Sequence, residues 1–113
     1  MPHPNHLGAQ RKRWKLSDQE LANLLGYSSK SAVCRAEKND RPPTIKFALA
    51  CEVIFGESPR NLFSTFYAHI EEGVMRRAAK LDAGLGDDHS DDANIKRQLL
   101  SEMIQRAGKR SRA

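Results

Sequence analysis

The chain has 113 residues, and its 19 Lys and Arg against 14 Asp and Glu give a formal net charge of +5. That length suits one domain with extensions, and no stretch reaches the ~18 apolar residues of a membrane span. The opening "MPHPNHLGAQRKRW" lacks the apolar segment of a secretory signal, so we expect a cytoplasmic protein with no membrane partner.

The positive charge is concentrated at the start of the chain. Residues 1–46 hold nine Lys or Arg against four Asp or Glu, whereas residues 47–113 hold ten of each. This asymmetry favours a polyanionic partner, either nucleic acid or an anionic membrane surface. The cysteines Cys34 and Cys51 form no CxxC motif, so we expect no metal site and no cofactor.

In chain order, residues 1–6 carry two prolines and no pattern, which predicts a flexible tail. A first helix is expected over 7–15. Ser17 is then typical of the N-cap of a second helix, and Glu20 completes a capping box with it. Gly26 ends this helix. We expect it to bury three leucines: Leu21, Leu24 and Leu25.

The third helix is expected over about 29–38, capped by Ser28 or Ser29 and ended by Asn39. On a helical wheel its apolar residues share one arc: Ala32, Val33 and Ala36. The opposite arc has cations, a hydroxyl and a thiol, but no acid: Lys30, Ser31, Cys34, Arg35 and Lys38.

A slim, cationic helix of this kind fits the DNA major groove, which is ~12 Å wide and offers guanine acceptors to Lys and Arg. The same face is also typical of a surface helix in water. Cys34 has two interpretations as well. It is a small groove residue, or a redox-sensitive thiol favoured by the neighbouring cations.

The apolar segment "IKFALACEVIFG" predicts a fourth helix, opened by Pro43 or Thr44 and ended by Gly56. Because it is almost wholly apolar, we expect it at the centre of the core. Ser58 and Pro59 then predict the cap and first position of a fifth helix.

The segment "LSDQELANLLGYSSKSAVCRAEKNDRPPT" resembles the helix-turn-helix of the Cro and lambda-repressor type, the XRE family. The matching residues are Leu16, Ser17, Glu20, Leu21, Ala22, Leu25, Gly26, Val33, Glu37 and Pro43. "LACEVIFGESPRNLF" resembles the end of the family's domain. The resemblance covers about residues 7–63. It implies an all-α, five-helix, lambda-repressor-like DNA-binding domain over 7–66, and the residues beyond that domain predict a C-terminal helical extension.

The resemblance also implies roles for single residues. Its base-reading positions are Lys30, Ser31 and Arg35, with Cys34 in place of a frequent Ser. Its phosphate-contacting positions are Ser17, Asp18, Ser29, Lys38 and Arg41. It pairs Arg11 with Glu37 as a structural ion pair, and Lys15 stands where the family usually has Gly.

The remaining residues predict a helical extension over 67–82, a linker over 83–91, and an amphipathic helix with a basic tail over 92–113. We expect that last helix to end at Gly108. Apolar residues at helical spacing form a possible dimer or partner surface: Ile70, Val74, Leu81, Ile95, Leu99 and Met103. A second copy of the chain is the first expectation for what covers them, and the chain's own domain is the second.

No enzyme signature is present, because HExxH, P-loop, GxSxG and dinucleotide-binding patterns are all missing. We expect a prokaryotic or phage regulator, associated with the nucleoid, that binds double-stranded DNA sequence-specifically as a homodimer on an inverted repeat. The alternative is an antitoxin or other protein-interaction module, which captures a partner through the C-terminal half and autoregulates through the N-terminal half. An RNA or membrane binder is weaker, since Trp14 is the only aromatic residue that stands among the cations of the basic half, and one is poor evidence.

Overall fold

The computed structural model describes residues 5–38 and 42–112, and within them the chain is all-helical without strands, as predicted. The helices are α1 (Leu7–Arg13), α2 (Asp18–Leu25), α3 (Ser31–Glu37), α4 (Ile45–Phe55), α5 (Pro59–Leu62), α6 (Ser64–Leu85) and α7 (Asp91–Arg112). The chain divides into two compact units, and the boundary lies within α6. Unit 1 is Met1–His69 and unit 2 is Ile70–Ala113.

Local capping explains where three helices of unit 1 begin. The Ser17 hydroxyl accepts the Glu20 N–H at 3.0 Å, and the Glu20 carboxylate accepts the Ser17 N–H at 2.8 Å. Thr44 caps α4, and Ser58 caps α5 ahead of Pro59. These caps satisfy N–H groups that have no partner inside their own helix. Ser17 and Ser58 were predicted, and Thr44 was one of the two residues, with Pro43, expected to open α4.

Glycine ends α2 and α4, as predicted. Gly26 has φ +91° and Gly56 has φ +72°, which is left-handed backbone that glycine adopts without a steric penalty. The end of α1 differs from the prediction. It stops at Arg13 rather than at Lys15, because Lys15 itself takes the left-handed conformation, with φ +62°, and turns the chain toward α2.

The core of unit 1 is one cluster of buried side chains drawn from α1 to α5 and from Phe63 just before α6: Leu7, Leu21, Ala22, Leu25, Val33, Ala36, Phe47, Cys51, Leu62 and Phe63. Two predictions of burial were wrong. Leu24 is 58% exposed, because it lies on the side of α2 away from the buried Leu21 and Leu25.

The second wrong prediction concerns α4, which is not buried on all sides. Phe47 and Cys51 face the core, but Ile45, Leu49 and Val53 are 79%, 51% and 86% exposed. These three residues are four apart, so they form one stripe along the outer side of the helix. The short helices of unit 1 cover only one face of α4.

Residues 5 and 6 are bonded to the helices of unit 1, whereas they were predicted to belong to a flexible tail. Of the tail expected over 1–6, residues 1–4 lie outside the described residues. The His6 N–H donates to the Leu62 carbonyl at 2.8 Å, and the Asn5 side chain donates to the Ala36 carbonyl at 2.8 Å. These bonds tie residues 5 and 6 to α3 and α5.

Unit 2 also differs from the prediction in its helix ends. Since α6 continues to Leu85, the connection predicted over 83–91 shortens to residues 86–90. Ser90 caps α7 by accepting the Ala93 N–H at 3.2 Å. Helix α7 passes through Gly108 and continues to Arg112, so Gly108 does not end it. One glycine inside a long helix costs only about 1 kcal/mol, which its other residues offset.

Candidate nucleic-acid interface

Helices α2 and α3 pack directly against each other through small and medium apolar residues. Ala22 and Val33 are completely buried between them. The turn is closed by the Tyr27 N–H, which donates to the Ala22 carbonyl at 2.9 Å. Because the contact residue on α2 is alanine, the two backbones can approach closely, and α3 is held in one orientation by its apolar side.

A paired Arg and Glu hold α3 to α1. The Arg11 Nε donates to Glu37 at 2.7 Å and its Nη2 donates to the other carboxylate oxygen at 3.2 Å. A third bond runs from Arg11 to the Leu16 carbonyl at 3.0 Å. The side chains are 14% and 19% exposed. The hydrogen bonds to Glu37 raise the pKa of Arg11, so the guanidinium stays charged.

Gly8 makes room for this pair. A Cβ at position 8 would lie 3.1 Å from a Glu37 carboxylate oxygen, which is tighter than ordinary van der Waals contact. The ion pair therefore depends on a residue without a side chain on the facing turn of α1. Position 8 had no role in the sequence-based interpretation, which took the pair itself from the family resemblance.

The outward side of α3 carries the residues predicted to read bases. Lys30, Ser31 and Arg35 are exposed, and so is Lys38 at the end of the helix. The helix begins at Ser31, two residues later than predicted, because neither Ser28 nor Ser29 is its N-cap. Instead the Ser29 hydroxyl accepts the Ser31 N–H at 3.2 Å and lies 2.9 Å from the Ser31 hydroxyl.

Cys34 lies half-buried between α3 and the start of α2. Its thiol donates to the Asp18 carboxylate over 3.7 Å. Activated thiols lie beside cations, whereas the hydrogen-bond partner here is an acid, so the geometry does not favour the redox interpretation. Cys51 is fully buried, and burial raises the pKa of its thiol to about 12.

The residues predicted to contact phosphates lie in different settings. Ser17 is exposed, and its hydroxyl proton is not used in the bond that caps α2. Asp18 is half-buried, and its carboxylate accepts the hydrogen bond from the Cys34 thiol. Ser29 and Lys38 are exposed beside α3. Arg41 lies outside the described residues, as does Asn39, the predicted end of the helix.

Gln19 is a positioning residue that the sequence-based interpretation missed. Its amide nitrogen donates to the Asn23 side chain at 3.0 Å and to the Ser28 carbonyl at 3.3 Å. It thereby links the first turn of α2 to the loop that leads into α3. The only available signal was an amide side chain early in α2 that can reach Asn23 one turn later.

The predicted partner surface lies in unit 2, and most of it is accessible. Ile70, Val74, Leu81, Ile95 and Leu99 are exposed, and Met103 is half-buried. Within the described part of unit 2, only Ala93 and Leu100 are buried apolar residues.

Comparisons of the chain with protein-family models, with curated proteins and with solved structures found no match in any of the three. Two searches of the described residues also returned nothing. They contain no helix that is long and apolar enough to cross a membrane, and no group of three or more His, Cys, Asp and Glu that could hold a metal ion. The case for this surface therefore depends on its own geometry.

Proposed function

We propose that unit 1 is a lambda-repressor-like helix-turn-helix domain that binds double-stranded DNA sequence-specifically and regulates transcription. The supporting observation is the exposed side of α3, which presents Lys30, Ser31 and Arg35 while α1 and α2 hold its other side. A regulator of this kind acts in the cytoplasm, on the nucleoid.

The charge on α3 is one-sided because its only acid is neutralised. Between residues 30 and 38 the sequence has three cations and one acid, Glu37. That carboxylate is bonded through both oxygens to Arg11. Within the described residues Lys30 and Arg35 form no ion pair, so their charges remain available to phosphates or to guanine O6 and N7.

The side chains also suit a groove. Between Lys30 and Arg35 the exposed residue of α3 is the short Ser31, and Cys34 is half-buried, so the helix stays narrow enough to enter a groove ~12 Å wide. A bidentate Arg contact to guanine gives ~1–3 kcal/mol of discrimination between bases. Two copies of the chain on an inverted repeat would place two such helices about one helical turn, ~34 Å, apart.

The test is selection of bound duplexes from a random double-stranded library, followed by affinity measurements on the enriched sequence. We expect an enriched inverted repeat. Arg35→Ala should lose about 1–3 kcal/mol of affinity and relax the preference at one position of each half-site. The matched control is Arg60→Ala, because Arg60 is also an exposed arginine but lies on α5. This variant should keep the same base preference at every position. Absence of any enriched sequence would contradict the proposal.

A second candidate function is supported by the exposed apolar residues of unit 2. In that case the chain captures a different protein through unit 2 and controls its own gene through unit 1, as an antitoxin does. A chain truncated after Leu81 would separate the two functions. It should lose the captured protein and keep its DNA contact if this candidate is right.

A further inference from the structure

Unit 2 is an antiparallel helical hairpin. A connection of residues 86–90 joins α6 to α7, and connections this short place consecutive helices side by side in opposite directions. The Arg97 guanidinium donates to the Gly86 carbonyl at 3.0 Å and closes the turn. Ala93 and Leu100 are buried, which identifies the side of α7 that faces α6.

One side of the hairpin is identified by a cleft between the helices. Its lining includes Met75, Ala79 and Asp82 from α6, and Arg97, Ser101 and Ile104 from α7. All of these residues lie on the same side of the line along which the two helices meet.

A rotation of about 100° from the cleft leads to Val74 and Leu81 on α6, which directly precede Met75 and Asp82, and to Met103 on α7, which directly precedes Ile104. In an antiparallel pair, the second helix runs in the opposite direction and also meets the first helix from the opposite side. These two reversals cancel, so the same rotation on each helix leads to the same side of the hairpin. Ile70 continues this stripe four residues before Val74, and Leu99 and Ile95 continue it at steps of four before Met103. We call these residues the apolar face: Ile70, Val74, Leu81, Ile95, Leu99 and Met103. Two helices cannot bury both their mutual contact and this face.

The apolar face is large enough for a stable interface. From Ile70 to Leu85 the hairpin is about 24 Å long, and two helices side by side are about 20 Å wide. Two such faces together bury on the order of 1,000 Å², which is the lower bound for a specific protein–protein contact.

The charges beside the apolar face favour a second copy of the chain as its partner. They also favour one arrangement of the two copies over the other. Residues 73–81 of α6 carry Arg76, Arg77 and Lys80 with no acid, whereas residues 98–105 of α7 carry Glu102 with no cation. Stacking α6 on the other copy's α6 would bring cations together. Stacking α6 on the other copy's α7 brings these cations beside an acid. The residues that meet across the cleft show how α6 and α7 are aligned, and in this alignment Arg77 and Glu102 lie at the same level along the helix axes.

We propose that the apolar face is a homodimer interface, in which two hairpins form a four-helix bundle with α6 of each copy on α7 of the other. The use of this dimer on an inverted repeat rests on the proposed function. The association itself is independent of DNA, so it is measured without DNA.

The experiment is sedimentation equilibrium of the full chain. Wild type should have twice the monomer mass of 12.7 kDa at micromolar concentration. Leu99→Asp should raise the dimer Kd at least about tenfold. Leu49→Asp is the matched control, since Leu49 on α4 is 51% exposed and Leu99 is 52% exposed. It should leave the dimer intact.

Three further variants protect the test against misfolding and check the arrangement. Ile95→Asp changes a residue of the face that is already 64% exposed, so it should fold and weaken the dimer. Arg77→Glu should weaken the dimer, and Arg77→Glu with Glu102→Arg should restore it. A monomeric wild type, or loss of the dimer in Leu49→Asp with its retention in Leu99→Asp, would overturn the proposal. A contact that forms only with a different protein would do the same.

Discussion

In unit 1, five short helices and the residue that follows them bury ten apolar side chains against one another, whereas the described part of unit 2 buries only Ala93 and Leu100 between two long helices. Short helices are not stable alone in water, so unit 1 owes its stability to the shared core. Long helices need less tertiary support, and unit 2 keeps its apolar side chains exposed. The difference separates a part that holds one surface rigidly from a part suited to association.

The largest effect is expected in the core of unit 1. Leu21→Ala removes a completely buried side chain and should cost about 3–5 kcal/mol, whereas Leu24→Ala on the same helix should cost less than ~1 kcal/mol. Urea denaturation combined with amide exchange on α2 measures both. Equal losses would mean that α2 packs with Leu24 inward.

A smaller effect is expected from the same kind of change in unit 2. Leu100→Ala should cost about 2 kcal/mol, at the low end for a buried leucine, because Ala93 is the only other buried apolar residue in the described part of unit 2 and the two helices can close in on a smaller side chain. The loss should be read from the amides of α7 by hydrogen exchange, with the amides of α2 unchanged. A matching loss in α2 would show that the two units unfold together.

The ion pair between α1 and α3 should contribute less again. Glu37→Ala leaves the mostly buried Arg11 without its partner, so unit 1 should lose about 1–2 kcal/mol. A double-mutant cycle with Arg11→Ala isolates the coupling between the two side chains. Additive losses would mean that the pair does not fix α3 to α1.

A stabilising change is expected at Lys15. Its left-handed backbone is strained for a residue with a side chain, so Lys15→Gly should add about 1 kcal/mol to the stability of unit 1. The urea midpoint measures the gain, and Lys12→Gly inside α1 is the control that should destabilise instead. A loss of stability in Lys15→Gly would mean that the lysine side chain has a structural role.

The smallest effect is a change in how steeply the stability of unit 1 falls at acid pH. The backbone and side-chain hydrogen bonds with Ser17 lower the pKa of Glu20, so folding favours its charged form. This contribution is present above the ordinary glutamate pKa of about 4.3 and is lost as the pH falls through the lowered pKa of the folded state. Between about pH 5 and pH 2, the unfolding temperature should therefore fall less steeply with decreasing pH for Glu20→Gln than for wild type. The same dependence of the unfolding temperature on pH in both proteins would contradict the capping role of Glu20.

Features set by neighbouring residues could be predicted from the sequence, and features set by distant packing could not. The caps at Ser17 and Ser58 depend on residues three positions away, so local spacing was enough to predict them, and it narrowed the start of α4 to Pro43 or Thr44. Helix α4 is apolar all round, so its periodicity cannot tell the buried Phe47 from the exposed Val53. Only the neighbouring helices decide that.

The candidate site shows the same division. The outward position of Lys30 and Arg35 followed from the helical wheel, because the apolar arc of α3 was unambiguous. The start of α3 was not predictable, since Ser28 and Ser29 are both acceptable caps by residue type. The link from Gln19 to the Ser28 carbonyl depends on how the turn folds back, which the sequence does not state.

The most direct test of the central claim is an amide NMR titration of the full chain with the duplex selected from the random library. The largest shifts should occur at residues 29–38, which comprise α3 and the residues that flank it, and at the start of α2 near Ser17. Amides on the outer side of α4, around Leu49, should not move. Largest shifts in α6 and α7, or none in α3, would contradict the claim that α3 is the surface that contacts DNA.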